Sequence, residues 1–142
     1  MSAVQQIQSL LAPLFPGLMG LTLVEAGPER VVATLQVRPD LCTTGEVMHG
    51  GALMAFADTL GAIGTFMNLP QGARTTTVDS STKFIGAAPL GTTVTGECTA
   101  FHRGRTTQVW QTQIRTEAGK LCAVVTQTQL VIPAAATAPP AQ

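Results

Sequence analysis

The stretch Val47–Gly61, VMHGGALMAFADTLG, holds a single carboxylate, Asp58, inside an otherwise apolar run. An ionised carboxylate is costly to bury without a partner, and its side chain competes with a helix backbone for hydrogen bonds. In a chain with only 8 acidic and 8 basic residues, a charge placed there needs a reason. Upstream, Gly50 and Gly51 sit where a helix would open. The first N–H groups of a helix lack internal acceptors and carry the positive end of its dipole, so they suit an oxyanion. A carboxylate acting as nucleophile or general base, with a backbone donor that polarises a carbonyl, makes up the parts of an acyl-transfer site. The alternative is structural, with Asp58 accepting a hydrogen bond from a neighbouring strand.

The two groups do not reach one carbonyl within one chain. Eight residues of helix separate them by about 12 Å. A reacting carbonyl needs both groups about 3 Å from its own atoms. The spacing therefore asks for a second copy, its helix antiparallel, that brings its Asp58 to the first copy's Gly50. On the same helix Met54, Asp58, Gly61 and Thr65 share one narrow stripe, apart from the stripe of Leu53, Phe56 and Leu60. Gly61 and Gly64 each lower helix stability by roughly 1 kcal/mol against alanine. That loss is consistent with close approach of another backbone or a ligand.

The elements that must position these groups follow from periodicity. Ser2 caps a short amphipathic helix through Val4, Ile7, Leu10 and Leu11, ended by Pro13. Leu18 to Ala26 and Arg30 to Arg38 read as strands joined at Gly27-Pro28-Glu29, the second with Val31, Ala33, Leu35 and Val37 on one face. Pro39 to Met48 reads as a loop. Gly50 to Asn68 carries helical apolar spacing and stops at Pro70-Gln71-Gly72. Four strands follow, Arg74–Ile85, Thr92–His102, Thr106–Thr116 and Leu121–Ile132, read as a four-stranded meander. The Thr/Gln alternation of Gln108 to Gln113 and Thr126 to Gln129 suits a sheet with one solvated face. A lone long helix buries its stripe by lying across that sheet, which makes an α+β fold. Residues 1–132 form one domain, and 133–142 read as a low-complexity, disordered tail.

Composition excludes several function classes. The formal net charge is zero, so no basic field exists for nucleic acid. Charged residues are 11% of the chain, and that low density points to a surface covered by further copies of itself. The 3 cysteines, Cys42, Cys98 and Cys122, form no CxxC pair and read as reduced, packed thiols of a cytoplasmic protein. No run has spanning character, so no membrane partner is expected. With 2 histidines, His49 and His102, a multi-His metal site is implausible, and His102 reads as a strand-end surface residue. Neither a GxSxG elbow nor a GxxxxGK[ST] phosphate loop occurs. Asp79 reads as structural and Trp110 as sheet packing.

The pattern G-x-x-x-H-G-G-x-x-x-x-x-x-D, here Gly45, His49, Gly50, Gly51 and Asp58, resembles the hotdog-fold acyl-CoA thioesterases of the PaaI-like group. The likeness runs from about Leu10 to Val131 and includes the turn His102-Arg103-Gly104-Arg105-Thr106. It implies an antiparallel sheet of about six strands wrapped around one long central helix. It also implies hydrolysis of an acyl-CoA or aryl-CoA thioester to free acid and CoA, with no cofactor and no metal.

By the same resemblance Asp58 is the nucleophile or general base, Gly50 donates its N–H to the thioester carbonyl, and His49 steadies the carbonyl or the loop. Thr43 stands where the group has Asn or Gln, a departure that bears on rate and substrate preference. Thr77 matches a Ser or Thr that positions water, and Arg103, Gly104 and Arg105 match a turn that grips coenzyme A phosphates. Met54, Phe84 and Phe66 are expected in the groove wall. The group's homodimer shares its sites between subunits, often within a homotetramer. A non-catalytic acyl-CoA-binding protein using the same groove is the competing reading. A hotdog dehydratase fits less well, since its His–Asp pairing is not found around His49.

Overall fold

A computed structural model describes residues 1–135. The expected tail, from residue 136 on, lies outside the described residues. Helix α1 (Ala3–Leu11) opens on a capping box, Ser2 accepting from the Gln5 N–H while the Gln5 side chain returns to the Ser2 N–H. A second short helix, α2 (Phe15–Met19), follows where the sequence suggests the start of a strand. Pro16 suits its first turn, and Gly20, at φ +87°, ends it. The Arg38 guanidinium then donates to the carbonyls of Leu18 and Met19, which closes the helix end.

Strand β1 (Thr22–Ala26) is thus shorter than the expected Leu18–Ala26, and β2 (Arg30–Gln36) follows as expected. The segment read as a loop contains a 3-10 turn at Pro39–Leu41 and a small hairpin, β3 (Cys42–Thr43) with β4 (Val47–Met48). The hairpin turn needs positive φ at Gly45 (+87°) and Glu46 (+57°). Helix α3 runs Gly50–Phe66. Then come β5 (Arg74–Phe84), β6 (Thr93–Arg103), β7 (Thr107–Arg115) and β8 (Leu121–Ile132).

The large sheet has the order β1-β2-β6-β7-β8-β5, all neighbours antiparallel. The last four strands are therefore not one meander. Only β6, β7 and β8 follow each other; β5 crosses to the far edge beside β8, and β2 takes the place next to β6. Helix α3 lies across the concave face with Leu53, Phe56, Ala57, Leu60 and Ile63 buried. Opposite them stand Val31, Ala33, Leu35, Val94, Ile114 and Val125, all essentially inaccessible. The architecture is the expected six strands around one long helix.

The alternation of β7 and β8 has the phase that carries Gln108, Gln127 and Gln129 to the helix side, where each is at most 2% exposed. The expectation of a solvated Thr/Gln face holds only for the other parity, Gln111, Gln113, Thr126 and Thr128, which is half-buried. Trp110 is fully buried against α3, as sheet packing.

Candidate active site

Asp58 sits in the middle of α3, half-buried, on the side of the helix that faces β5 and β8. The Thr77 hydroxyl of β5 donates to its Oδ1 at 2.6 Å. Gln127 Nε2 of β8 reaches the same Oδ1 at 3.3 Å and the Asp58 backbone carbonyl at 3.2 Å. Behind Thr77, Gln129 Nε2 donates to its Oγ1 at 2.6 Å, and Thr75 Oγ1 lies 2.9 Å from Gln129 Oε1. Thr75 and Thr77, two apart on β5, share the face turned to the helix, and Gln127 and Gln129 share the matching face of β8. The carboxylate is therefore held by donors from two strands.

The glycine stripe has a concrete cause. A Cβ at Gly61 would fall 2.2 Å from Gln127 Cδ, and one at Gly64 would fall 2.7 Å from the Trp110 ring. The close approach inferred at these glycines is made by sheet side chains of the same chain. Of the stripe, Met54 is 37% exposed, whereas Gly61 and Thr65 are buried. Thr65 spends its hydroxyl on the Gly61 carbonyl at 2.9 Å.

At the other end of the helix path, His49 is the N-cap of α3. Its Nδ1 accepts from the Gly51 N–H at 2.8 Å, which places the proton of the neutral ring on Nε2. That bond consumes the Gly51 donor. Gly50, the first helical residue, keeps its N–H without an acceptor among the described residues. The Phe84 ring covers the Gly50 Cα, 3.1 Å from where a Cβ would stand. Thr43 is exposed in the hairpin that leads into the helix, paired with Val47, and its side chain makes no hydrogen bond among the described residues.

Asp58 and Thr77 are thus brought together, and so are His49 and Gly50, but the two pairs lie along one continuous helix about 12 Å apart. Arg103 is elsewhere. It pairs with Glu29 at 3.3 Å and approaches Asn68, just past the C-terminal end of α3. Gly104 is wedged against the His102 ring and the Thr107 carbonyl, and Arg105 is exposed.

Two grooves flank the helix. One, of about 380 Å³, is walled by Ile7, Leu10 and Leu11 of α1 and by Ala62, Ile63 and Phe66 of α3, with Asp58 at its margin. The other, of about 510 Å³, runs between α2 and the helix start and reaches His49 and Gly51. Phe15, 59% exposed, borders both. Of the expected wall residues only Phe66 lines the groove beside Asp58; Phe84 packs on Gly50.

Gln127 and Gln129 are the site residues that sequence reading missed. Their signal was parity. Counting by two from Ala123 and Val125 to Val131 passes through both, so they share the core face of β8.

Residues 45–123 match the sequence model of the thioesterase superfamily. A Haemophilus influenzae protein, named provisionally as an esterase, is 32% identical over 114 residues, 80% of this chain and 82% of that one. The proofreading thioesterase EntH of Cronobacter sakazakii is 29% identical over 104 residues, 73% of this chain and 75% of that one. The crystal structure of a thioesterase from Haemophilus influenzae superposes with a TM-score of 0.89 at 27% identity, covering 98% of this chain and 96% of that one.

Proposed function

The chain belongs to the thioesterase superfamily and hydrolyses thioesters; from that premise we propose that its substrates are acyl-CoA or aryl-CoA esters, cleaved at a site shared between two copies. Asp58 of one copy acts as nucleophile or general base, and the Gly50 N–H of the other polarises the carbonyl. Thr77 orients the carboxylate. His49 keeps the helix entry in place, Thr43 stands at the rim of the oxyanion end, and the 103–105 turn offers Arg105 to coenzyme A phosphates. The apolar groove beside Asp58 suits the acyl or aryl group. No cofactor or metal enters this scheme.

The observation that carries the reading is a pair of contacts on one strand. Strand β5 holds Asp58 through Thr77 and covers Gly50 with Phe84, seven residues and about 23 Å further on. It is also an edge, with β8 on one side only, and Val78, Phe84 and Ile85 beside that edge are more than half exposed. An edge of this length is a template for another strand. If two β5 edges pair antiparallel about an axis between Ser80 and Ser81, Thr77 of one faces Phe84 of the other. Each Asp58 is then delivered to the other copy's Gly50, the juxtaposition that helix length denies a single chain. A two-fold interface of this kind is self-complementary and closes at two copies, in keeping with the self-association expected from the low charge density; pairing of such dimers is what the family resemblance adds.

The test uses two inactive variants. Asp58→Asn removes the base. Gly50→Pro removes the donor: proline fits the first helical position and His49, at φ −61° and ψ 137°, already has the backbone that precedes a proline, while the Phe84 ring, 3.1 Å from the new Cβ, must give by a few tenths of an ångström. Thiol release from a panel of CoA esters is expected to vanish in each alone. Co-refolding the two should restore about a quarter of wild-type turnover, since half of randomly paired dimers are mixed and each mixed dimer has one intact site. Full activity in Asp58→Asn refutes the base. Two dead variants that never complement refute the shared site. Saturable ester binding without thiol release from the wild type would favour the non-catalytic reading.

A further inference from the structure

We propose that Gln127 and Gln129 are positioning residues that bind one oxygen of Asp58 to the protein and leave the other for the reaction; this rests on Asp58 being the reacting carboxylate. Both donors that reach the carboxylate, Thr77 Oγ1 and Gln127 Nε2, converge on Oδ1. Among the described residues Oδ2 accepts no hydrogen bond. Oδ2 is therefore the atom presented to the substrate or to the attacking water.

The order of donors is forced by chemistry. An ionised carboxylate only accepts, so Thr77 must give Oδ1 its one proton. A hydroxyl that has spent its proton can only receive from Gln129, so that amide turns its nitrogen to Thr77 and its oxygen to Thr75. Each member fixes the next, and the hydroxyl of Thr77 cannot rotate away. Gln127 follows the same logic with a visible cost. Its amide nitrogen faces two acceptors, Oδ1 and the Asp58 carbonyl, and its Oε1 is left buried without a partner. Reversing the amide would set oxygen against a carboxylate. A methionine at this position would fill the space with no orphaned oxygen, so packing alone does not account for a glutamine that is 1% exposed. Gly61 supplies the room, since any Cβ there would occupy the place of the amide.

The prediction separates two routes. Gln129 acts through Thr77, whereas Gln127 touches Asp58 directly. Thr77→Val, Gln129→Met and Gln127→Met should each lower kcat about tenfold with KM moved less than about twofold, as loss of an interaction that orients the reacting group. Thr77→Ser, which keeps the hydroxyl, should restore kcat to within about threefold of wild type. Adding Gln129→Met to Thr77→Val should cost nothing more, while adding Gln127→Met should lower kcat again.

An equal loss from Gln129→Met with and without Thr77, a change in KM alone, or a Thr77→Ser as slow as Thr77→Val would each overturn the assignment. If Gln129→Met does not fold, Gln129→Glu decides in its place: the side chain keeps its size and loses the donor to Thr77, kcat is expected to fall about tenfold, and an unchanged kcat overturns the assignment. Failure here is distinguishable from failure of the catalytic reading. An active Asp58→Asn sinks Asp58 itself, whereas a dead Asp58→Asn beside fully active glutamine variants sinks only the positioning role.

Discussion

Gly61 and Gly64 lie one turn apart along the same helix, yet alanine should act differently at each. Intrinsic propensity favours alanine at either by roughly 1 kcal/mol. At Gly64 the new methyl would stand 2.7–2.8 Å from three atoms of the Trp110 ring, which is rigid and fully buried. Overpacking of such a site costs about 1–3 kcal/mol. Set against the propensity gain, Gly64→Ala should leave the fold up to about 2 kcal/mol less stable. For a domain of this size that lowers Tm by up to about 6 °C. At Gly61 the obstructing atoms are the end of the Gln127 side chain, which can swing aside. The clash is then relieved, but the amide leaves Asp58, and a lost hydrogen bond to a charged group costs about 1.5–3 kcal/mol. Net of propensity, Gly61→Ala should destabilise by about 0.5–2 kcal/mol, with kcat falling as in Gln127→Met. The assays are thermal melts with thiol release. A Gly61→Ala that is more stable than wild type and fully active would refute the account of why this glycine is there. A Gly64→Ala more stable than wild type would refute the ring contact.

Four further outcomes follow from particular residues. His49→Ala removes the N-cap of α3 and should cost about 1 kcal/mol, or about 3 °C in Tm, while His49→Asn recovers most of it; an unchanged melt in His49→Ala would remove the cap from the account. Burial pushes the Cys98 thiol up to about 12, and burial also raises Cys122, so iodoacetamide at pH 8 should label only half-buried Cys42 until the protein unfolds. Because the folded value of Cys98 lies above its ordinary 9.0, its contribution to stability is complete below pH 9 and is lost as pH rises toward about 12; denaturant midpoints across that range check it. Ser81→Lys places an added ammonium group beside the proposed two-fold axis of β5, next to Lys83, and should yield monomers by sedimentation with thioester turnover lost and the fold intact. An active monomer would contradict the shared site.

What the sequence makes legible depends on how local the cause is. The helix start is local, since His49-Gly50-Gly51 carries its own cap and its own backbone freedom, and its first residue is placed correctly at Gly50. Asp58 is legible because a lone charge in an apolar run is an anomaly in one dimension. The alternation Val31, Ala33, Leu35, Val37 is equally self-contained, and all four prove buried. Strand order is not local: β5 and β6 are consecutive and lie at opposite ends of a four-strand group because α3 must cross the sheet before the chain turns back. The start of β1 was hidden for a similar reason. The α2 turn that replaces it is closed by Arg38, a residue about 20 positions later.

The partners of Asp58 were the least legible part, although Gln127 and Gln129 stand in plain parity with Val125 and Val131. Two glutamines on the core face of a strand contradict the usual rule for buried residues, so polarity outweighed phase. The contradiction is the informative part. A protein with so few charges has put one carboxylate against a sheet and sent two side chains from that sheet to meet it, Thr77 and Gln127, with Gln129 behind Thr77 and two glycines in the helix to admit the sheet. A structural hydrogen bond would need one such partner. Two donors gathered on Oδ1, an Oδ2 that accepts no hydrogen bond among the described residues, and an apolar groove lined in part by Asp58 are together the arrangement that the proposed role of this carboxylate would use.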